Sequence, residues 1–249
     1  MKSLQMGLGV LFAVLVASGS AAAAPCSNTS LTGVFGFQNA GFDSPGVPGT
    51  SVGQYSFDGA GNVSGSFTHS DNGTITNLTF TGTYAVAKNC TGSMTLNNSN
   101  GITEHSNFVI DDARKGLQLI RTDSGQIKSG FALAQGAVTC GLTGIKQTFA
   151  FNVSGTDSPQ GAIAAVGQLT LDGNGTITGG IITLSVNGSV GTFPLSGTYT
   201  ESANCTGTQV VMPSGLSPSN FNFVVVNGGK EVLLIETDAS STVSGNAQQ

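Results

Sequence analysis

Residues 53–62 read GQYSFDGAGN, and residues 167–176 read GQLTLDGNGT. Apolar residues stand at every second position, Tyr55 and Phe57 in one stretch and Leu169 and Leu171 in the other. Period 2 is the mark of a strand with one buried face. Each stretch then enters an Asp-Gly-x-Gly turn, whose Asp58 or Asp172 and glycines suit a backbone that must visit positive φ. A strand running into a tight turn is the start of a β-hairpin, and finding it twice points to a duplicated chain.

The duplication extends in both directions. At an offset of 114, Cys26 matches Cys140, Phe35-Gly-Phe37 matches Phe149-Ala-Phe151, and DSP at 43–45 matches DSP at 157–159. Further along the offset is 115: GTY at 82–84 and 197–199, NCTG at 89–92 and 204–207, NFV at 107–109 and 222–224, and LIRTD at 119–123 with LIETD at 234–238. One residue is therefore inserted between about 66 and 81 in the frame of the first unit. A period near 115 is the size of a small domain, too long for a solenoid unit. The expected division is residues 25–136 and 137–249, joined by AQGAVT at 134–139.

Within the first unit, turn signals recur at the spacing of an all-β domain. Expected strands are 31–38, 51–58, 62–69, 75–86, 91–97, 102–110, 116–122 and 127–134, with turns at 58–62, 70–73, 97–101 and 123–125. The second unit repeats this with DGNG at 172–175, NG at 187–188 and NGG at 227–229. Eight sequential strands on short loops favour an all-β, antiparallel up-and-down barrel in each unit, because closure removes edges that so few charges could guard. The alternative is a pair of immunoglobulin-like sandwiches, supported by the Cys spacing but opposed by the absence of tryptophan and of a Tyr-x-Cys corner. A membrane barrel lacks the material for aromatic girdles, with three tyrosines and no tryptophan. Period 2 assigns Phe35, Phe37, Tyr55, Phe57, Phe80, Tyr84 and Phe108 to the first interior, and Phe149, Phe151, Leu195, Tyr199 and Phe223 to the second. These residues would either line a pocket or fill it.

Four cysteines fall at matching positions, two per unit. Duplication favours Cys26–Cys90 and Cys140–Cys205, since each unit would have folded alone before it was copied. Barrel topology agrees, because Cys26 precedes the first strand and Cys90 lies in the turn between the fourth and fifth, at the same end.

Composition removes several functional classes. Only 8% of residues are charged, against roughly 25% in ordinary soluble domains. The net charge of −5 and pI of 4.7 exclude a nucleic-acid footprint. An apolar content of 39% excludes a disordered chain. At the N-terminus, Lys2, an apolar run from about Met6 to Ala17 and the small residues of SAAAAP at 20–25 form a secretory signal peptide over 1–24, with cleavage after Ala23 or Ala24. The run is too short to span a bilayer, and no later stretch reaches 18 apolar residues. Pro25 before Cys26 argues against lipidation. The expected location is secreted, periplasmic or at the cell surface.

Candidates for chemistry are sparse. His69 and His105 have no histidine counterparts in the second unit and are expected on solvent-facing strand positions, with no metal. Asp58 and Asp172 read as turn residues, as do Asp123 and Asp238 in the shared TD, and Asp111, Asp112, Arg114 and Lys115 read as a solvated turn. No Ser-His-Asp set, phosphate-binding loop or paired-carboxylate site occurs in both copies, and no cofactor is expected. Sequons such as 72–74 and 77–79 follow from composition.

The pattern VGQ(Y/L)-x-(F/L)-DG-x-G-(N/T), GTY, NCTG, NFV, LI-x-TD and SG resembles a group of exported bacterial proteins that carry one or two such units. In architecture the meander is similar to calycin-type barrels, lipocalin-like or avidin-like. The lipocalin Gly-x-Trp and the avidin tryptophans are absent here, so biotin binding is not implied. The resulting expectation is a non-enzymatic secreted protein that binds a small apolar ligand, or an interaction module for an extracellular protein or polysaccharide. The alternatives are a barrel isomerase or cyclase, which would need a buried carboxylate or tyrosine such as Tyr84 or Tyr199 facing a cavity, and a protease inhibitor or adhesin working through loops.

Overall fold

A computed structural model describes residues 25–111 and 115–249. The expected signal peptide, and Asp112 and Arg114 of the expected solvated turn, lie outside the described residues. The first unit forms β1 (Thr32–Ser44), β2 (Val47–Asp58), β3 (Asn62–Asp71), β4 (Thr74–Val86), β5 (Thr91–Asn98), β6 (Thr103–Asp111), β7 (Gly116–Arg121) and β8 (Ile127–Ala134). The second forms β9 (Thr148–Asp157), β10 (Gly161–Leu171), β11 (Thr176–Val186), β12 (Ser189–Glu201), β13 (Thr206–Pro213), β14 (Ser219–Val226), β15 (Glu231–Glu236) and β16 (Ser241–Gln248). Each set closes into an eight-stranded antiparallel up-and-down barrel, first strand paired to last. The sandwich alternative is thereby excluded.

Turn chemistry sets the registers. Asn72-Gly73 and Asn187-Gly188 supply two successive positive φ values, the requirement of a type I′ hairpin. Asp58 Oδ1 accepts the backbone N–H groups of Ala60, Gly61 and Asn62 at 2.7, 3.0 and 2.9 Å. The side-chain amide of Asn62, its N–H and that of Ala60 hold the Asp58 carboxyl at about 2. Asp172 repeats the arrangement with the N–H groups of Asn174 and Thr176. Asp123 and Asp238 also act alike: each carboxylate accepts a backbone N–H across the barrel rim, from His105 and Asn220 respectively, both at 2.8 Å.

Two details depart from the sequence expectation. The first hairpin is longer than 31–38 and 51–58, because β1 and β2 continue to a Pro45-Gly46 turn at Ser44 and Val47. The glycines and prolines there resemble a loop, yet Gly41 pairs with both Gly49 and Lys128, and Pro48 opposes Phe42. The inserted residue lies at a bulge in β11 between Ile177 and Gly180, opposite the 64–65 step of the first unit, just upstream of the expected 66–81 window.

Each barrel is plugged at the end that receives the chain. In the first, Leu31 is fully buried after a 3-10 turn at Asn28–Ser30, and Cys26 is bonded to Cys90. The Tyr84 hydroxyl lies 2.9 Å from the Leu31 carbonyl oxygen. In the second, Ile145 ends the 3-10 turn Leu142–Ile145, Cys140 is bonded to Cys205, and the Tyr199 hydroxyl lies 3.2 Å from the Leu142 carbonyl oxygen.

The barrels pack together through a dry patch of Val52 and Leu133 against Val224, Val226, Leu233 and Ile235, with Phe131 at its edge. Polar contacts surround it: Thr50 Oγ1 to Ser244 Oγ at 2.7 Å, Ser70 Oγ to the Ser241 carbonyl at 2.6 Å and Asn222 Nδ2 to Thr68 Oγ1 at 2.8 Å. Gly36 sits where any Cβ would collide with the side chains of Val226 and Val224. Gly36→Val should raise local strand propensity yet destabilise the protein by about 2 kcal/mol through overpacking. The measurement is urea unfolding, with calorimetry expected to show two transitions; a gain in stability would contradict the close approach.

Candidate functional site

The expected interior residues are all buried. Phe35, Phe37, Tyr55, Phe57, Phe80, Tyr84 and Phe108 belong to the first core, and Phe149, Phe151, Leu195, Tyr199 and Phe223 to the second. The two cores are nevertheless unlike. In the first, Phe37 stacks on Tyr55 at 4.2 Å, Tyr55 meets Phe80 edge-on at 5.6 Å, and Phe67 approaches Phe80 at 6.0 Å. A void of about 10 Å³ lies among them, room for roughly one water. In the second barrel Tyr55, Phe57, Phe67 and Phe80 are matched in register by Leu169, Leu171, Ile182 and Leu195. Leu and Ile fill less than aromatic rings, and a cavity of about 500 Å³ opens at the end of the barrel opposite the disulfide. Phe151, Val153, Ala165, Leu169, Ile182 and Val211 form its wall, and Asp157, Glu236 and Asp238 stand around it. Of the expected interior residues, Phe151 lines this cavity, whereas Phe149, Tyr199 and Phe223 border a deeper void of about 20 Å³. Both tyrosine hydroxyls are taken up by the plugs, so neither faces the cavity.

The open ends differ as sharply in charge. In the first barrel the mouth is sealed by an ionic network. Lys128 is paired with Asp43, His69 Nε2 lies 3.3 Å from Asp43 Oδ2, and Arg121 lies 2.8 Å from Glu104 and 3.6 Å from Asp123. Burial alone would raise the Asp43 carboxyl, but His69 and Lys128 outweigh it and leave it below its ordinary value. Burial likewise lowers Lys128, partly offset by Asp43. His69 is thus not a solvent-facing residue. Its register opposite Ser51, two residues from Phe67, turns it inward. His105 does face solvent, with its side chain half exposed, beside Asp123 at 2.7 Å.

Ser51, His69 and Asp43 form a chain, Ser51 Oγ lying 2.9 Å from His69 Nδ1. The set is not legible in the sequence, because it is the extended first hairpin that brings Asp43 to His69. The set is closed in. Ser51 is 4% exposed, the Thr50 carbonyl oxygen also lies 3.0 Å from that nitrogen, and the adjoining void is too small for a substrate. The counterparts Ala165 and Leu184 remove the set from the second barrel.

In the second barrel Lys128, Arg121 and His69 are replaced by Val243, Glu236 and Leu184, while Asp157 and Asp238 remain. Burial pushes the Glu236 carboxyl up, opposed by Ser241 and Ser219 and helped by Asp238 and Asp157. Burial and Asp238 push Asp157 up. Among the described residues, Cys140, Glu201 and Cys205 are the one set of three potential metal ligands that converges, and its cysteines are a disulfide.

Among the described residues, no helix is long and apolar enough to cross a membrane. Two disulfides fit an oxidising compartment. No protein-family model matches the chain, and no curated protein is significantly similar to it. Among solved structures, a Myxococcus xanthus hemagglutinin in complex with a3,a6-mannopentaose is 13% identical, covering 86% of this chain and 99% of that one at a TM-score of 0.17. Superposition that poor carries no argument about fold or ligand.

Proposed function

We propose that the protein is a secreted, non-enzymatic binder that holds one small apolar molecule in its second barrel, with the first barrel as a solid support. The observation that carries this reading is the cavity of about 500 Å³ in one copy where the other is filled. That volume lies within the range of small-molecule sites, and the wall is mainly aliphatic, as such sites are. Eight-stranded barrels are wide enough to hold a single small ligand when their interior is not filled.

The test copies the first barrel into the second. The neutral fluorophore N-phenyl-1-naphthylamine should bind the intact protein saturably at one site per chain. Leu169→Tyr with Ile182→Phe, which restores the residue types of Tyr55 and Phe67, should abolish that binding while leaving the fold intact by circular dichroism. Equal binding by the filled variant would sink the proposal. Two units, 25–136 and 137–249, are proposed as the folding domains, and separate expression of each should place the fluorophore site in the second alone.

A further inference from the structure

We propose that the ligand of the second barrel is an amphiphilic amine, its apolar chain inside the cavity and its protonated nitrogen at the mouth among Asp157, Glu236 and Asp238. This rests on the reading that the cavity holds an apolar molecule, and adds its charge.

Three observations converge. The first is the comparison of mouths. In the first barrel each acid has a cation from the protein: Lys128 for Asp43, and Arg121 for Glu104 and Asp123. In the second, Asp157 and Asp238 are retained, Glu236 is added at the Arg121 position, and no Lys, Arg or His lines the cavity. Neutral donors are what the chain brings to these acids, Ser241 Oγ to Glu236 and the Asn220 N–H and amide to Asp238, so a cation at the rim would come from outside the chain. The second is Gln209, which stands at the Met94 position, lines the cavity and is 8% exposed. No side-chain hydrogen bond to this amide is found among the described residues, and its polar atoms are not sealed off, which leaves the amide open to whatever occupies the cavity. Its place in an apolar bore is explained if a bound molecule brings a polar group to it. The third is spacing. The three rim carboxylates do not converge as a set of metal ligands, which a bound divalent ion would need, whereas an ammonium group needs only one or two acceptors within hydrogen-bond reach.

Decylamine, decanol and decanoate, which share one chain length and differ in head group, separate the possibilities when each displaces N-phenyl-1-naphthylamine from the full-length protein. Decylamine should displace it at least about tenfold more strongly than decanol, and decanoate least. In Asp157→Asn with Glu236→Gln the fluorophore should still bind, which shows the cavity intact, and the gap between amine and alcohol should close. Decanoate binding as well as decylamine, or an amine preference that survives the double substitution, would overturn the charge assignment while leaving the cavity reading in place. Failure of the fluorophore to bind the intact protein would overturn both.

Discussion

Replacing Cys26 and Cys90 together by alanine is expected to destabilise the first barrel by about 4 kcal/mol, and the same change at Cys140 and Cys205 should cost the second as much. The magnitude follows from loop length. The pairs are 64 and 65 residues apart, and cross-linking a loop that long removes a large part of the unfolded chain's freedom. The folded state loses something as well. Cys26 fastens the segment that carries Leu31 across the barrel end, and Cys140 does the same for Ile145, so each cystine keeps an apolar plug seated over a core. The measurement is urea unfolding followed by far-ultraviolet circular dichroism, for the intact protein with and without reductant and for the two double variants. Reductant should destabilise each barrel of the intact protein by the amount of its own bridge and leave a protein lacking all four cysteines unmoved. A loss below about 1 kcal/mol per bridge would show that the plugs hold without their bonds.

Lys128→Met should destabilise the first barrel by about 3 kcal/mol. The ammonium group is nearly fully buried beside Asp43, and removing one member of a buried pair strands the other. Asp43 keeps a fifth of its side chain exposed and retains His69, which places the loss at the low end for a buried ion pair. Adding Asp43→Asn to Lys128→Met should recover most of the loss, since a neutral pair leaves no charge stranded. The pH dependence has a definite sign. The folded carboxyl titrates below its unfolded value, so its contribution is fully present above the ordinary carboxylate range and fades as pH falls through the folded value. The intact protein should therefore lose more stability on acidification than the Asp43→Asn variant. Equal acid sensitivity would show that Asp43 is not the group that matters.

Much of the fold was legible because the sequence states it twice. Alternation in strands such as Leu78, Phe80 and Tyr84, and Asn-Gly at the turns, are local signals that tertiary packing did not override. The cystine pairs followed from the duplication, and barrel parity agreed by putting Cys26 and Cys90 at one end. The site was harder to see. Aromatic positions mark what fills the cores, while the cavity arises where aromatics are lacking, at Leu169 and Ile182. The signal was present as a difference between copies: Tyr55 against Leu169 and Phe67 against Ile182. The contact between barrels also left a trace. Residues 222–226 and 232–235 read NFVVV and VLLI, without alternation, as strands covered on both faces do. The first-unit counterparts NFVID and LQLI alternate, and there Val109 and Ile120 stay exposed.

The way the barrels meet bears on how the chain came to be. The first barrel contributes the outer side of β1, β2, β3 and β8, through Gly36, Val52, Ser70 and Leu133, and the second contributes β14, β15 and β16, through Val224, Ile235 and Ser244. The two faces share only the last strand of each unit, and the rest of each face has its equivalent outside the interface, so no two-fold axis relates the copies. A symmetric homodimer fused end to end would have left matching surfaces in contact. Here Val224 and Ile235 are buried against the neighbour while Val109 and Ile120, their equivalents, face outward, as does Val166, the equivalent of Val52. The junction is therefore a head-to-tail contact, and the two members of the tandem pair differ inside as well as outside: aromatics fill one, and aliphatic side chains leave a cavity in the other.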